Sequence, residues 1–305
     1  MKKKLLITGG SGFLGQLLLP HLSPNYEVYY TGILDQAGTP AYFQLDIADA
    51  PAVNKLIAEI KPHYIIHAAG IKSIVEAQEN PLKCIEVNIQ GSNNIARAAI
   101  NNKVDFVLGI SSTKAGLGGQ NLYSLSKMAM EQLFVSLTSN TTFACFRLGN
   151  ILWAPGSFLW LWKKSWDATQ TIETTGFEMK RFLCSKQQVV DDILTLLNNK
   201  NSVSKQIVTA KLGYAKIGDM LDIWTSELGG KYVKVDPRPG DVIEDVLVAE
   251  HEKAFTEIVK FEEKPYFMYS PGKAVKNNLF EAINTQNQPA MPKNKLKAII
   301  LEPFK

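Results

Sequence analysis

The stretch KLLITGGSGFLGQLLL, residues 4–19, decides the fold. Residues 4–7 form a short apolar run typical of a β-strand, and the leucines at 17–19 begin a helix beyond a glycine-rich loop. The glycines at 9, 12 and 15 let this loop turn tightly, approach a pyrophosphate and pack the helix against the strand. The helix N-terminus then faces the phosphates with unpaired N–H groups. The stretch predicts a dinucleotide site built from Gly9, Ser11, Gly12, Phe13, Leu14 and Gly15.

The same alternation of strand and helix continues along the chain. Further apolar runs at 27–30, 42–45, 64–66, 104–110, 143–148 and 207–210 predict strands, and patterns at 49–60, 80–101, 189–197 and 217–228 predict helices. This order predicts an α/β protein with a Rossmann-type doubly wound parallel sheet and ligands at the carboxyl ends of the strands. We expect a cofactor domain at 1–150, a smaller substrate-binding α/β region at 151–285 with some return of the chain to the first domain, and a linker and tail at 286–305.

Composition and charge exclude several functional classes. The 305 residues are 46% apolar and 20% charged, as in ordinary globular proteins, and the net charge is only +4. The basic run at 2–4 has no interleaved aromatic residues, so nucleic-acid binding is not expected. Glycines interrupt the first apolar run too early for a signal peptide, and no run is long enough to span a membrane. Three cysteines and four histidines without metal-ligand spacing predict a reduced, metal-free, cytoplasmic protein.

Residues that follow the next strands are candidates for holding the rest of the cofactor. Asp35 lies 20 residues beyond Gly15 and could bind the ribose hydroxyls. The choice between NAD and NADP stays open, because serine, threonine or lysine can also hold a 2′-phosphate. Asp46 and Ile47 suit the adenine, although an acid here could instead cap the following helix. The small residues Ala68, Ala69 and Gly70 would let the backbone lie against the cofactor.

Two polar residues near these strands have alternative interpretations. His67 ends a strand and is interpreted as a packed histidine rather than a catalyst, because another acid–base candidate exists. Asn88 lies within the apolar periodicity of a long helix. It could bond backbone near the cofactor, or it could be a core amide with its own partners.

The chemistry is predicted in SSTKAGLGGQNLYSLSK, residues 111–127. Tyr123 and Lys127 are four residues apart at the start of a probable helix, so they share one helix face. An ammonium there would lower the pKa of the phenol towards a value useful for proton transfer. Ser112 or Thr113, one loop upstream, could hydrogen-bond the same substrate oxygen. A surface tyrosine and lysine at a common spacing is the plain alternative.

TGGSGFLG, the pair Asp46-Ile47, HAAG, VNIQG and YSLSK together resemble the extended short-chain dehydrogenase/reductase family. Residues 67–100, with NLYSLSK and RLGN further on, are similar to its branch of bacterial C5-inverting UDP-N-acetylglucosamine 4,6-dehydratases. This resemblance implies an NAD(P)-dependent enzyme of surface-polysaccharide or glycan biosynthesis, acting at C4 of a UDP-N-acetylhexosamine. It also implies a homo-oligomer, because helices beside the active-site tyrosine often pair subunits in this family.

The resemblance implies substrate-binding roles for Lys72, Asn150, Arg181 and Arg238. The two arginines would grip the nucleotide phosphates, for which a planar guanidinium is well suited. An exposed turn is the alternative for Arg238. A dense aromatic cluster follows, formed by Phe158 and the tryptophans at 153, 160, 162 and 166. These are core or lid residues, or one of them stacks on a uracil ring.

One departure leaves the reaction open. The similar dehydratases have an Asp-Lys pair directly after the threonine, whereas this chain has Lys114 and then Ala115. Aligned without a gap, Lys114 replaces the acid and Ala115 the base; with one inserted residue, Lys114 is kept as the base and the acid is absent. A 4-keto-sugar reductase or a 4-epimerase is therefore an alternative, and a cofactor-binding protein without turnover is another.

Overall fold

Residues 2–36, 38–237 and 241–304 are described in the computed structural model of the protein. The central feature is a nine-stranded sheet. Its first six strands are β1 Lys3–Thr8, β2 Tyr26–Gly32, β3 Tyr42–Gln44, β4 Tyr64–His67, β5 Phe106–Ser112 and β6 Thr142–Leu148. The later part of the chain adds β10 Ile207–Ala210 and the hairpin β14 Thr256–Phe261 and β15 Lys264–Tyr269.

The order across this sheet is β14-β15-β10-β6-β5-β4-β1-β2-β3. The seven strands from β3 to β10 are parallel, and the β14–β15 hairpin joins β10 in antiparallel fashion. Successive strands run outward from β1 in both directions, so the switch point lies between β1 and β4. A crevice for ligands is expected outside the carboxyl ends of these two strands.

Helices cover both faces of the sheet, as in a doubly wound fold. They are α1 Phe13–Leu22, α2 Ala50–Ile60, α3 Ile74–Glu79, α4 Pro81–Cys84, α5 Gly91–Asn101, α6 Leu122–Ser136, α7 Phe158–Thr169, α8 Lys186–Asn198, α9 Ile217–Leu228 and α10 Lys293–Ile300. Apolar side chains of α1 and α8 belong to one core, and those of α2, α5 and α6 belong to the other. The predicted helix at 80–101 is present as α4, a π-helical segment Ile85–Gln90 and α5.

Local sequence explains where several helices begin. Asp49 accepts a hydrogen bond from the Ala52 N–H (3.0 Å) at the start of α2, and Asn121 accepts one from the Ser124 N–H (2.9 Å) at the start of α6. A side-chain acceptor at this position satisfies an otherwise unpaired helix N–H. Asp49 rather than Asp46 therefore caps α2.

Short strands and the last helices form a smaller region beside the sheet. Its strands are β7 Asn150–Ile151, β8 Thr171–Thr174, β9 Lys180–Cys184, β11 Gly213–Lys216, β12 Lys231–Lys234, β13 Val246–Val248 and β16 Ile283–Asn284. A third apolar core joins α7, α9 and α10. Across residues 2–36, 38–237 and 241–304, none of the helices has the length and apolar character needed to cross a membrane.

Candidate active site

A cavity of about 980 Å³ opens at the carboxyl ends of β1, β4, β5 and β6. It therefore lies at the switch point of the sheet, where α/β proteins bind their ligands. Gly15 of the predicted cofactor-binding residues does not line it, but eleven others do: Gly9, Ser11, Gly12, Phe13, Leu14, Ile47, Ala68, Ala69, Gly70, Tyr123 and Lys127.

The glycine loop has the close backbone approaches that its sequence predicts. Gly9 has a φ of +68°, and a Cβ there would lie 2.6 Å from the Cα of Ala69. A Cβ on Gly15 would lie 2.2 Å from the Cα of Gly10, so this glycine packs α1 against the loop. The Gly12 N–H bonds back to the Gly9 carbonyl at 3.0 Å. These residues fit the diphosphate of a dinucleotide held at a helix N-terminus.

The predicted ribose and adenine contacts are only partly at the cavity. Gly32, Ile33 and Leu34 line it after β2, whereas Asp35 and Asp46 do not. A Cβ on Gly32 would lie 2.0 Å from the Ser11 Oγ, which explains why no acidic side chain ends this strand. The roles of Asp35 and Asp46 toward the cofactor stay predictions.

His67 and Asn88 are buried behind the cavity wall. The Nδ1 of His67 is 2.7 Å from the Thr8 Oγ1, and its Nε2 is 3.0 Å from the Ser92 Oγ. Burial lowers the pKa of His67 to about 3, so the ring is neutral and links β1, β4 and α5. Asn88 accepts a bond from the Ile71 N–H (2.7 Å) and donates to the Ile71 carbonyl (3.0 Å). Since Ile71 lines the cavity, Asn88 shapes the wall from behind.

Tyr123 and Lys127 lie on the first turns of α6, and both line the cavity. Each is less than a tenth exposed, and the Lys127 Nζ donates to the Ile110 carbonyl at 2.9 Å. Burial lowers the pKa of Lys127 to about 8, so the ammonium form prevails at neutral pH. The helical spacing alone predicts a lowered pKa for the phenol, and this prediction is wrong. Instead, burial raises the pKa of Tyr123, and a hydrogen bond with Ser112 only opposes this rise.

The structure distinguishes the two candidate hydroxyls. Ser112 lines the cavity beside Tyr123, and its Oγ accepts the Lys114 N–H at 3.2 Å. Thr113 is 1% exposed and lies behind the lining. If Ser112 is the hydroxyl of the site, the next two residues are Thr113 and Lys114. They then occupy the positions of the Asp-Lys pair in the resembling enzymes, so the lysine is kept and a threonine replaces the acid.

Lys114 lines the cavity and forms an ion pair that the sequence analysis missed. Its Nζ lies 3.0 Å from Oδ1 of Asp245, a residue with a fully buried side chain. Burial lowers the pKa of Lys114, and the Asp245 charge opposes that shift. The two residues are 131 positions apart, and no spacing along the chain signals their contact.

Three of the four predicted substrate-binding residues belong to the described chain, and all three line the cavity. Lys72 reaches towards the Pro155 carbonyl at 3.5 Å, and Asn150 donates to the Phe182 carbonyl at 2.9 Å. Arg181 donates through Nη1 to the carbonyls of Lys180 and Val242, each at 2.8 Å, which holds its guanidinium at the wall. Arg238 lies outside the described residues.

The aromatic cluster is mainly a core. The rings of Trp153, Trp162 and Trp166 surround Trp224 with centroid distances of 6.0–6.3 Å. Trp162 and Phe158 also line the cavity, and these two are the aromatic candidates for stacking on a base. Trp160 is 39% exposed and points away from this core.

Comparison with known proteins identifies the family. The profile of a family described as "Polysaccharide biosynthesis protein" matches residues 5–262. The chain belongs to this family.

Among similar proteins is a UDP-N-acetylglucosamine 4,6-dehydratase (inverting) from Campylobacter jejuni, 27% identical over 88% of this chain and 83% of that one. A UDP-glucose 4-epimerase from Rickettsia bellii is 29% identical over 63% of this chain and 62% of its own. The solved structure of Pen from Bacillus thuringiensis superposes with a TM-score of 0.88 at 23% identity, covering 99% and 98% of the two chains. A Thermus thermophilus UDP-glucose 4-epimerase, solved in complex with NAD, has a TM-score of 0.66 at 21% identity, covering 79% and 88%.

These findings confirm the predicted Rossmann-type fold and the resemblance to extended short-chain dehydrogenases/reductases. They also agree with the prediction of an enzyme of this class, since the similar proteins are named as nucleotide-sugar dehydratases and epimerases, and two of the similar structures were solved with NAD. The individual site residues stay predictions supported by their positions at the cavity.

Proposed function

We propose that the protein is an NAD(P)-dependent enzyme that oxidises C4 of a UDP-N-acetylhexosamine, removes water across C5 and C6, and then returns the hydride to C6 and a proton to C5. Such a 4,6-dehydratase would serve bacterial surface polysaccharide or glycan biosynthesis. The observation that carries the proposal is the meeting of Ser112, Tyr123, Lys127 and Lys114 at one cavity beside the glycine loop. Similarity to the inverting dehydratase of Campylobacter jejuni over 88% of the chain supports the same reaction.

The residues of the cradle suit an NAD(P) cofactor. Gly9, Gly12 and the N-terminus of α1 would hold its diphosphate, and Ala68 and Ala69 would lie against it. When bound, the nicotinamide ring supplies a hydride acceptor and donor. Tyr123 would take the proton of the C4 hydroxyl, and Ser112 would bond the same oxygen. Burial raises the pKa of Tyr123, and the hydrogen bond with Ser112 opposes that rise; Lys127, one helical turn away, would hold the phenolate and the cofactor ribose.

Elimination of water requires two proton transfers after C4 is oxidised. The proton at C5 becomes acidic beside the C4 carbonyl, and the C6 hydroxyl leaves as water once it gains a proton. Lys114 is the candidate to accept the C5 proton, because it lines the cavity two residues after Ser112. Thr113 cannot supply the acid, since it is buried and has no acidic proton. Loss of a placed general acid typically slows a reaction by about two to four orders of magnitude.

This missing acid favours a second candidate, a 4-keto-sugar reductase or a 4-epimerase. Both need hydride transfer at C4 and the Ser112–Tyr123–Lys127 set, but neither needs a proton removed from C5. The similarity to UDP-glucose 4-epimerases supports this alternative. A cofactor-binding protein without turnover is less well supported, because the tyrosine and the lysine are both present at the cavity.

Product analysis tests these alternatives directly. Purified protein given UDP-N-acetylglucosamine should release a 4-keto-6-deoxy sugar, lighter by one water in mass spectrometry. A reductase should instead oxidise added NAD(P)H only with a 4-keto-6-deoxy sugar, and an epimerase should return the C4 epimer. Tyr123→Phe should abolish turnover, whereas Tyr232→Phe, at an exposed tyrosine bonded to Asp222, should not. Full activity of Tyr123→Phe would refute the catalytic assignment.

We also propose that the protein is a cytoplasmic homo-oligomer. Leu82, Ile85 and Leu125 are large apolar side chains that are 41–75% exposed on neighbouring elements beside the active-site helix. A second copy covering this face would remove their apolar surface from water. Light scattering after gel filtration should give a multiple of the chain mass of 33.8 kDa, and Leu125→Lys should reduce that multiple.

A further inference from the structure

We propose that Asp245 is the positioning residue for Lys114, and that this pair allows one lysine to perform both proton transfers of the elimination. Asp245 would thereby compensate for the acid that is absent after Ser112. The inference rests on the proposed dehydratase function and extends it to a residue that lies far along the chain.

The geometry around Asp245 is that of a fixed carboxylate. Its Oδ2 accepts the Phe182 N–H at 3.2 Å and the Asn150 amide at 3.3 Å. Its Oδ1 faces the Lys114 Nζ at 3.0 Å. The Thr285 hydroxyl also contacts the backbone N–H of Asp245 at 3.0 Å. These bonds hold the carboxylate in one orientation, so the ammonium it binds is held in one place too.

The two side chains differ in their exposure to the cavity. The Asp245 side chain is 0% exposed, so it cannot touch a sugar in the cavity. Lys114 is 13% exposed and forms part of the cavity wall. Asp245 therefore acts through Lys114 and not on the substrate.

Other charges near Lys114 make the carboxylate necessary. Burial disfavours the ammonium most, and Arg181 disfavours it further, while Asp245 and, more weakly, Asp241 favour it. Asp245 makes the direct ion pair among these groups. A carboxylate at 3.0 Å lowers the energy of the cationic lysine wherever the reaction forms it.

The chemistry balances with Lys114 alone. Burial and Arg181 favour the neutral amine of Lys114, and Asp245 opposes them. This amine takes the C5 proton, and the electrons of the C5–H bond form the C5–C6 double bond as the C6–O bond breaks. Lys114, now an ammonium beside Asp245, gives that proton to the departing oxygen, which leaves as water. The lysine ends as the amine that began the cycle, and no oxidant is needed in these steps.

A double-mutant cycle tests whether Asp245 acts through Lys114. Asp245→Asn keeps the shape and removes the charge, and we expect about a tenfold to hundredfold lower kcat with a KM changed only a few-fold. Lys114→Met should lower kcat more, and Asp245→Asn should have no further effect in that background. Glu227→Gln is the matched control, because it breaks an ion pair with Lys297, and neither residue lines the cavity. Additive losses in the double variant, or an effect on KM alone, would overturn the proposal.

A second measurement does not depend on turnover. Acetylation of Lys114 against pH, followed by mass spectrometry, gives the titration midpoint of its amine. Asp245→Asn should lower this midpoint by about one unit or more, while exposed Lys55 serves as the internal reference. A shifted midpoint in a protein without dehydratase activity would refute the proposed function but would support the electrostatic coupling of Asp245 to Lys114. An unshifted midpoint would refute the pair whatever the activity.

Should Asp245→Asn fail to fold, the wild type and Lys114→Arg keep the inference testable. Lys114→Arg retains a cation for Asp245 but cannot accept a proton from carbon, so it should fold and bind substrate without eliminating water. Elimination by this variant at the wild-type rate, or Lys114 titrating and reacting like Lys55 in the wild type, would refute the proposal.

Discussion

Replacing Arg147 with methionine should destabilise the protein far more than breaking a surface ion pair. Arg147 on β6 is 2% exposed and lies between two buried carboxylates. Its Nε and Nη2 donate to Glu131 at 2.8 Å each, and its Nη1 and Nη2 donate to Glu252 at 2.8 and 2.6 Å. Ser111, at the cavity, donates to Glu131 at 2.6 Å. The cluster therefore connects the active-site helix α6, β6 and the segment before β14.

The expected magnitude follows from what Arg147→Met leaves behind. Removing one partner of a buried ion pair costs about 3–5 kcal/mol, because the remaining charge is buried without compensation. For a chain of this size that corresponds to a melting temperature lower by roughly 6–10 °C. Lys260→Met breaks a pair with Glu263 whose side chains are 64% and 92% exposed, and it should cost less than about 1 kcal/mol.

The pH dependence gives a sharper test. In the wild type, burial raises the pKa of Glu252, but Arg147 outweighs it and the net pKa is lowered. A carboxyl group with a lowered pKa in the folded state stabilises the protein at pH values above its unfolded-state pKa of about 4.3. This stabilisation is lost as the pH falls through the folded-state pKa. Without Arg147, burial is opposed only by the Ala249 N–H bond and by His251. The folded-state pKa of Glu252 therefore rises, and the variant loses stability as the pH increases. The loss caused by Arg147→Met should therefore be larger at pH 8 than at pH 5.

Guanidinium chloride unfolding followed by tryptophan fluorescence, at both pH values, measures these losses. Glu252→Gln should destabilise the wild type but stabilise Arg147→Met, because in that variant it removes an unpaired charge. If Arg147→Met cost no more than Lys260→Met, or cost the same at pH 5 and pH 8, the electrostatic reasoning would be refuted.

Three further predictions concern other parts of the fold. Gly15→Ala should cost about 1–3 kcal/mol and weaken NAD(P) binding in calorimetry, because its Cβ would lie 2.2 Å from the Gly10 Cα. Burial raises the pKa of Asp192 to about 6, and a hydrogen bond from Tyr266 opposes this rise. The folded protein therefore loses stability relative to the unfolded chain as the pH rises through that value. Asp192→Asn removes this loss, so it should stabilise the protein by up to about 3 kcal/mol at pH 8 in urea unfolding. Phe304→Ala removes edge contacts with three tryptophan rings at 5.6–6.3 Å, and should cost about 1–2 kcal/mol and shift tryptophan emission to longer wavelength.

Much of the cofactor half could be predicted because its signals are local. The apolar run at 4–7 is the centre of β1, the glycines at 9, 12 and 15 occupy the loop and first turn of α1, and residues 64–66 are buried in β4. Strand propensity, turn chemistry and helix capping each depend on a few neighbouring residues, so the chain shows them directly. The sequence does not signal the β14–β15 hairpin, because its two-residue turn is formed by Glu262 and Glu263 at positive φ rather than by glycine.

The direction of the Tyr123 pKa could not be obtained from spacing. Four residues along a helix predict that the phenol and the Lys127 ammonium are neighbours, which is correct for the helix face. Both groups are also buried, however, and desolvation raises the pKa of the phenol and lowers that of the amine. Burial depends on the sheet, on the loop before α6 and on the substrate region together, so no short segment encodes it.

The sequence by itself determined the Rossmann-type fold of the first half, the shared helix face of Tyr123 and Lys127, and the family, since these depend on residues close together in the chain. Only the tertiary structure selected Ser112 over Thr113 as the hydroxyl at the cavity and brought Asp245 to Lys114 across 131 residues. The physical reason is that an ion pair or a cavity wall depends on distance in space. Here that distance is set by packing of the β13 region against the turn at 113–117 and against β9, and spacing along the chain does not encode it.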